Sequence, residues 1–142
     1  MKKMLYAVLL LAPLAQATEK NYGSVTVSKV GTIYDGDTFY VNIDRWPSIV
    51  GEHIAVRVKG VDTPEMQGKC DSETQLARKA KQFTVEFLRR ATSIQLRNVS
   101  RDKYFRLLAD VYVGEKNLAR ELISKGLGYE YHGEGKKNWC AK

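Results

Sequence analysis

Four carboxylates and two arginines in this chain have the types and spacing to act on an anionic substrate. The stretches Tyr34-Asp35-Gly36-Asp37-Thr38 and Arg57-Val58-Lys59-Gly60-Val61-Asp62-Thr63-Pro64-Glu65 set Asp35, Asp37, Asp62 and Glu65 beside Gly and Pro turn signals. Each stretch lies at the end of a strand-like segment, where a side chain is held rigidly yet stays open to solvent. Clustered acids repel and raise one another's pKa, and a divalent cation is the usual relief. Oxygen donors with no His or Cys close by favour Ca²⁺ or Mg²⁺ over Zn²⁺. Asp37 and Asp62 are the expected ligands, and Asp35 reads mainly as a turn residue. Glu65, just after Pro64, is either a plain surface acid or a general base that activates water. Arg57 and Arg106 carry planar forks that match phosphate oxygens in pairs. Beside a metal they would stabilise a five-coordinate transition state; alternatively, they are surface arginines in ion pairs with the acids.

These side chains need a scaffold, and the hydrophobic pattern supplies one. Val25 and Val27 alternate with polar residues over 24–30, and Phe39, Val41 and Ile43 alternate over 37–43. Asp35-Gly36 is a tight-turn signal between them, so the two segments should form a hairpin. A third strand over 54–61 turns Ile54, Val56 and Val58 inward, leaving Arg57 and Lys59 on the face that carries the acids. Strands are also expected over 93–99 and 107–113, with a loop over 44–52 in which Trp46 caps the core. Ser72 and Gln75 read as a capping box opening a helix whose apolar stripe is Leu76, Ala80, Phe83 and Phe87. The basic residues on its other faces read as a solvated surface. Asn117 should cap a second, short helix that ends at Gly126. The implied fold class is α+β, mainly β: a five-stranded OB-fold β-barrel with two packed α-helices. Such barrels commonly bind oligonucleotides.

A chain of 142 residues with 44% hydrophobic content suits one domain with one core. Its formal charge of +7 and pI of about 9.4 favour anionic partners, nucleic acid or an acidic membrane surface. Residues 1–17 read as a signal peptide: Lys2 and Lys3, an apolar run from Leu5 to Ala12, and Ala15-Gln16-Ala17 as the cleavage motif. That run is shorter than the roughly 20 residues of a membrane span, so an exported protein, periplasmic or secreted, without stable membrane association is expected. Residues 18–23 form a flexible leader and residues 24–142 the folded domain. Cys70 and Cys140 are an even pair, which in an exported protein suggests a disulfide, with two free thiols as the alternative. No ligand spacing supports a zinc site.

Asp35-Gly36-Asp37-Thr38, then Arg57 followed by Asp62-Thr63-Pro64-Glu65, then Asp102-Lys103-Tyr104 with Arg106, resembles the staphylococcal nuclease (thermonuclease) family over roughly Val25 to Tyr131. The resemblance implies an OB-fold nuclease dependent on one Ca²⁺ ion, cleaving DNA and RNA with little sequence specificity to leave 3′-phosphates. It implies Asp37, Asp62 and the Thr63 carbonyl as metal ligands, Glu65 as general base, and Arg57 and Arg106 on the phosphate. Asp35 would support the metal site, and Tyr104, Tyr129 and Tyr131 would lie against the nucleotide. A monomer is expected. The alternative is an inactive OB-fold module that binds nucleic acid. The sequence departs from the family at Phe105, where a glycine is usual, in the loop 66–71, in the linker 44–53, and in lacking the long C-terminal helix. A Cys70–Cys140 bridge would tie the short tail down in that helix's place.

Overall fold

The computed structural model describes Glu19–Cys140; the expected signal peptide lies outside the described residues. The alternating segment near the start becomes two short strands, β1 (Val25–Thr26) and β2 (Lys29–Ile33), and the hairpin partner is β3 (Thr38–Asn42). Next come the four-residue helix α1 (Ser48–Gly51), β4 (Ile54–Val58), β5 (Gly60–Asp62) and the long helix α2 (Asp71–Arg89). The chain continues through β6 (Gln95–Arg101), β7 (Leu107–Val113), β8 (Lys116–Asn117), α3 (Leu118–Ser124) and β9 (Tyr129–Tyr131).

The main sheet runs in the order β1-β6-β7-β4-β3-β2, with β8 on β7. Its two ends are the two halves of one bent segment, because only Val27 and Ser28 separate β1 from β2. Val27 N–H donates to the Ile94 carbonyl at 2.9 Å, and Ser28 N–H donates to the Asn42 carbonyl at 2.8 Å. The segment thus changes partner at its bend and curls the sheet round into a barrel, which spares it exposed edges. Strand β4 pairs in parallel with β7 (Val56 opposite Leu107) and antiparallel with β3 (Thr38 opposite Arg57). Phe39, Val41, Val56, Val58, Leu96, Leu107 and Val111 fill the interior, and Leu118 and Leu122 of α3 join the same core.

The mainly β, α+β barrel agrees with the sequence reading, and several details differ. The third strand is broken. Gly60 takes φ +85°, a left-handed conformation that glycine adopts without a Cβ clash. There the chain leaves β4, and β5 pairs instead with β9 in a separate two-stranded sheet. Residues 129–131, read as tail, are therefore a strand. The strand expected over 93–99 lies two residues later, and a bulge at Asn98, φ 51°, interrupts its pairing with β7. The loop 44–52 contains α1, making three helices among the described residues; Trp46 does pack against the core.

Helix α2 starts one residue before Ser72, its N-cap is Cys70, and no side chain caps it, so Ser72 and Gln75 form no capping box. Instead Glu73 accepts the Lys69 amide at 2.7 Å. The buried stripe is Glu73, Ala77, Ala80, Thr84 and Leu88, with Phe83 and Phe87 only partly buried at its flank. Small residues win the central line because the loop at Gly36 comes so close: a Cβ on Gly36 would stand 2.9 Å from the Ala80 Cβ. The α3 expectations hold: the Asn117 side chain accepts from Arg120 N–H at 3.1 Å, and Gly126, φ 70°, follows the C-cap.

Candidate active site

The acids and arginines meet in a cleft of about 760 Å³ at the ends of β3, β4 and β5. The turn 34–38 builds its first wall. Tyr34 N–H donates to the Thr38 carbonyl at 2.9 Å, and the Asp35 carboxylate accepts the Asp37 amide at 3.1 Å. Thr84 of α2 donates its hydroxyl to the Gly36 carbonyl at 2.7 Å, and Val58 N–H bonds the Asp37 carbonyl at 2.8 Å. Helix and strand therefore clamp the turn from both sides. Asp35 is a turn residue as expected, but it is also buried, at 6% exposure, and it lines the cleft. Burial, with Asp37 beside it, pushes its carboxyl up to about 7.

Asp37 is the hub of the site. Its Oδ2 accepts from Thr63 N–H at 2.9 Å and from the Thr63 hydroxyl at 3.0 Å, and its Oδ1 accepts from the Thr38 hydroxyl at 3.0 Å. Arg57 Nη2 stands 3.3 Å from Asp37 Oδ2 and 3.3 Å from Asp62 Oδ1, so one guanidinium nitrogen bridges the two acids. Its Nη1 donates to the Val58 and Val61 carbonyls at 2.8 and 2.7 Å, stapling the kink at Gly60. The ion-pair alternative for Arg57 is thus realised in this geometry, inside the cleft. Burial raises the Asp62 carboxyl above its ordinary range; Lys136 opposes that rise and Asp37 adds to it.

Arg106 reaches the same cleft from the β6–β7 loop. Asp102 organises this loop, accepting from the Tyr104 amide at 2.9 Å and the Arg106 amide at 3.0 Å, and holding Arg106 Nε at 2.7 Å. Burial would raise the Asp102 carboxyl, but the bonds from Arg106 and Tyr104 outweigh it and hold the group below its usual value. Phe105 takes φ 64°, the left-handed conformation that explains why glycine suits this position. Its ring lies 3.7 Å from the Arg101 guanidinium, and Arg101 Nη1 donates to its carbonyl at 2.7 Å.

Three tyrosines were expected beside a nucleotide, and the structure separates them. Tyr104, 68% exposed, and Tyr131 line the cleft, with the Arg57 guanidinium 5.8 Å from the Tyr131 ring. Tyr129 lies outside the cleft lining. Its ring stacks on Trp139 at 4.2 Å, with Lys137 on it at 4.5 Å. Thr63 is buried behind Asp37. Cys70 and Cys140 form a disulfide, which ties the tail to the start of α2. Glu73 lies against that bond as the acceptor of the Lys69 amide, so the three together have no need of a metal.

Sequence reasoning missed Lys136. Its Nζ forms an ion pair with Glu65 and lies 3.8 Å from Asp62 Oδ1. Nothing in a Gly-Lys-Lys tail points there until the disulfide and β9 are known. Tyr34, Tyr40 and Lys103 also line the cleft; their aromatic and basic types were visible, their convergence was not.

The donor set suits a hard divalent cation. Asp35, Asp37, Asp62 and Glu65 share the cleft; among the described residues Arg57 and Lys136 form ion pairs with them, Arg106 is matched by Asp102, and Lys59 and Lys103 also line the cleft. Among the described residues no three of these four carboxylates converge within 4.8 Å of one another. They would therefore supply at most two direct ligands and leave a backbone carbonyl and water to complete the coordination, as Ca²⁺ and Mg²⁺ tolerate.

Comparison with known proteins agrees with this geometry. Residues 55–139 match the family model described as "Staphylococcal nuclease homologue". A thermonuclease of Staphylococcus hyicus is 30% identical over 117 residues, which make up 82% of this chain. The chain spans 62% of that relative's length. A barrel whose bent first segment closes it, a family match over most of β4 to the tail, and the aspartates and arginines gathered in one cleft lead to the same conclusion: the chain belongs to the staphylococcal nuclease homologue family.

Proposed function

We propose that the protein is an exported, monomeric nuclease that hydrolyses phosphodiester bonds of DNA and RNA with Ca²⁺ as cofactor, leaving 3′-phosphates. The observation that carries this reading is the convergence of Asp37, Asp62, Arg57, Glu65 and Arg106 on one open cleft. Asp37 and Asp62, with the Thr63 carbonyl, would hold the ion, and Asp35 would support them from the turn. Bound there, Ca²⁺ would neutralise the carboxylates and polarise a phosphoryl oxygen. Glu65, whose side chain is 48% exposed at the cleft edge, takes the proton from an attacking water. Arg57 enters from β4 and Arg106 from the β6–β7 loop, one fixed by backbone carbonyls and the other by Asp102. Between them they hold the phosphate and match the charge that grows on its equatorial oxygens. Tyr104 and Tyr131 offer faces on which a sugar or base can rest, and such contacts read no sequence. Tyr129 acts indirectly, as the platform for Trp139.

The disulfide supports export, since such bonds persist in oxidising compartments. Residues 1–17 are proposed as the signal peptide, and residues 18–23 as a short leader. Incubating the purified protein with plasmid DNA and with RNA, in Ca²⁺ or in EGTA, tests the reading. Both substrates should be degraded in Ca²⁺ and spared in EGTA. Binding without cleavage would support the inactive OB-fold module instead.

A further inference from the structure

The tail 132–140 leaves β9, contributes His132, Gly133 and Lys136 to the cleft lining and reaches the bridge to Cys70. Its residues are largely exposed, so packing contributes little to its path. Two contacts near its end fix that path: the disulfide, and the stacking of Trp139 on Tyr129. Between these anchors and β9, Lys136 is the tail residue paired with the site carboxylates, whereas His132, also in the lining, pairs with Glu130. Lys136 places its ammonium on Glu65 and 3.8 Å from Asp62 Oδ1. Glu65 and Asp62 are two of the four carboxylates of the proposed metal site.

We infer that Lys136 is a tethered cation competing with the divalent metal for the Glu65–Asp62 end of the cleft, and that the Cys70–Cys140 bond sets how strongly it competes. The inference rests on the metal site proposed above. Asp62 is the carboxylate that both the ammonium and the metal ion would use, Glu65 lies beside it, and like charges a few ångströms apart repel. The tether matters because an untethered lysine would spend its time in solvent. A bridge that holds the tail in place raises the ammonium's effective concentration at the carboxylates. Oxidised protein should therefore bind metal more weakly than the same chain with a free tail. Lys137 is the internal control: it is adjacent, carries the same charge, and points instead to the Tyr129 ring.

The test is calorimetric titration of the folded protein with Ca²⁺ alone, in the absence of nucleic acid. Lys136→Met should tighten Ca²⁺ binding on the order of tenfold, from removal of one positive charge a few ångströms from a divalent ion. Cys70→Ser/Cys140→Ser should tighten it comparably by releasing the tail, and adding Lys136→Met to that pair should give no further gain. Lys137→Met should change affinity less than threefold or so, as a more distant and screened charge. Lys136 is exposed enough that its replacement leaves the fold intact, which circular dichroism verifies. Equal Ca²⁺ affinity in wild type and Lys136→Met, or equal effects of Lys136→Met and Lys137→Met, overturns the inference while leaving the metal site standing. Absence of Ca²⁺ binding in every variant overturns the metal site itself.

Discussion

Replacing both cysteines, Cys70→Ser/Cys140→Ser, probes what holds a domain whose last residues have little core of their own. The bridge closes a loop across a sequence separation of 70 residues that contains α2, β6, β7, α3 and β9. In the chain-entropy treatment, opening a loop of that length frees the unfolded chain and costs about 4 kcal/mol of stability. Release of the tail from the folded state adds little to that cost, because Lys136 and Lys137 are exposed and Trp139 supplies its main packing. For a domain of this size about 4 kcal/mol corresponds to a fall in Tm of about 15 °C. Urea unfolding followed by circular dichroism and by tryptophan fluorescence, with wild type and variant at one pH, measures it. The barrel spectrum should be retained at low urea, the midpoint should fall, and the slope should rise, because an unfolded chain without the bridge is less compact and exposes more surface. A loss below about 1 kcal/mol would refute the reasoning, since it would mean that the bridge neither restrains the unfolded chain nor anchors the folded one.

Two further substitutions test the local physics. Asp35 is a buried acid with its pKa raised to about 7 from 3.8. The folded state therefore holds its proton longer than the unfolded chain, so metal-free stability falls as pH rises from about 4 to about 7 and stays low above. At pH 8 in EGTA, Asp35→Asn should be more stable than wild type by on the order of 2 kcal/mol. The full shift at 1.36 kcal/mol per unit would give roughly 4, and the weaker acceptor left for the Asp37 amide offsets part. The gain should vanish below about pH 4, and a difference independent of pH would contradict the burial account. Phe105→Gly removes a left-handed phenylalanine, worth about 1–2 kcal/mol, and with it the stacking of Arg101, worth roughly 0.5–1 kcal/mol at an exposed site. Thermal melts should show stability unchanged or raised by about 1 kcal/mol; a clear loss would show that the ring does more than cover Arg101.

What could be read from the sequence follows from how local each feature is. Strands β3 and β7 were legible because alternation of period two needs no distant partner; the alternating Val25 and Val27, expected in the hairpin, instead fall in β1 and the bend beside β6, and only the later part of that segment, β2, pairs with β3. The α3 boundaries were legible through Asn117 and Gly126, whose capping roles are intrinsic. The phase of α2 was missed because the largest apolar residues suggested the buried stripe, whereas Gly36 approaching Ala80 requires small ones along the contact line. The break at Gly60 was missed because Val58 and Val61 continue the apolar pattern, while the reason for the break, pairing with β9, lies some 70 residues later in register with Tyr129 and Tyr131. In the cleft, Asp37, Asp62, Arg57, Glu65 and Arg106 were visible as types beside turns. Asp102 as the support of Arg106, and Lys136 on Glu65, were not, because a loop's hydrogen bonds and a disulfide's path are three-dimensional facts.

Glu65 acting at a phosphodiester is the central claim. The measurement is single-turnover cleavage of a single-stranded oligonucleotide at saturating Ca²⁺ by wild type and Glu65→Gln. The expected rate is on the order of 10²–10⁴-fold lower in the variant, with an unchanged melting temperature because Glu65 is solvent-facing. A variant that cleaves at close to the wild-type rate would contradict the role of Glu65 as the base.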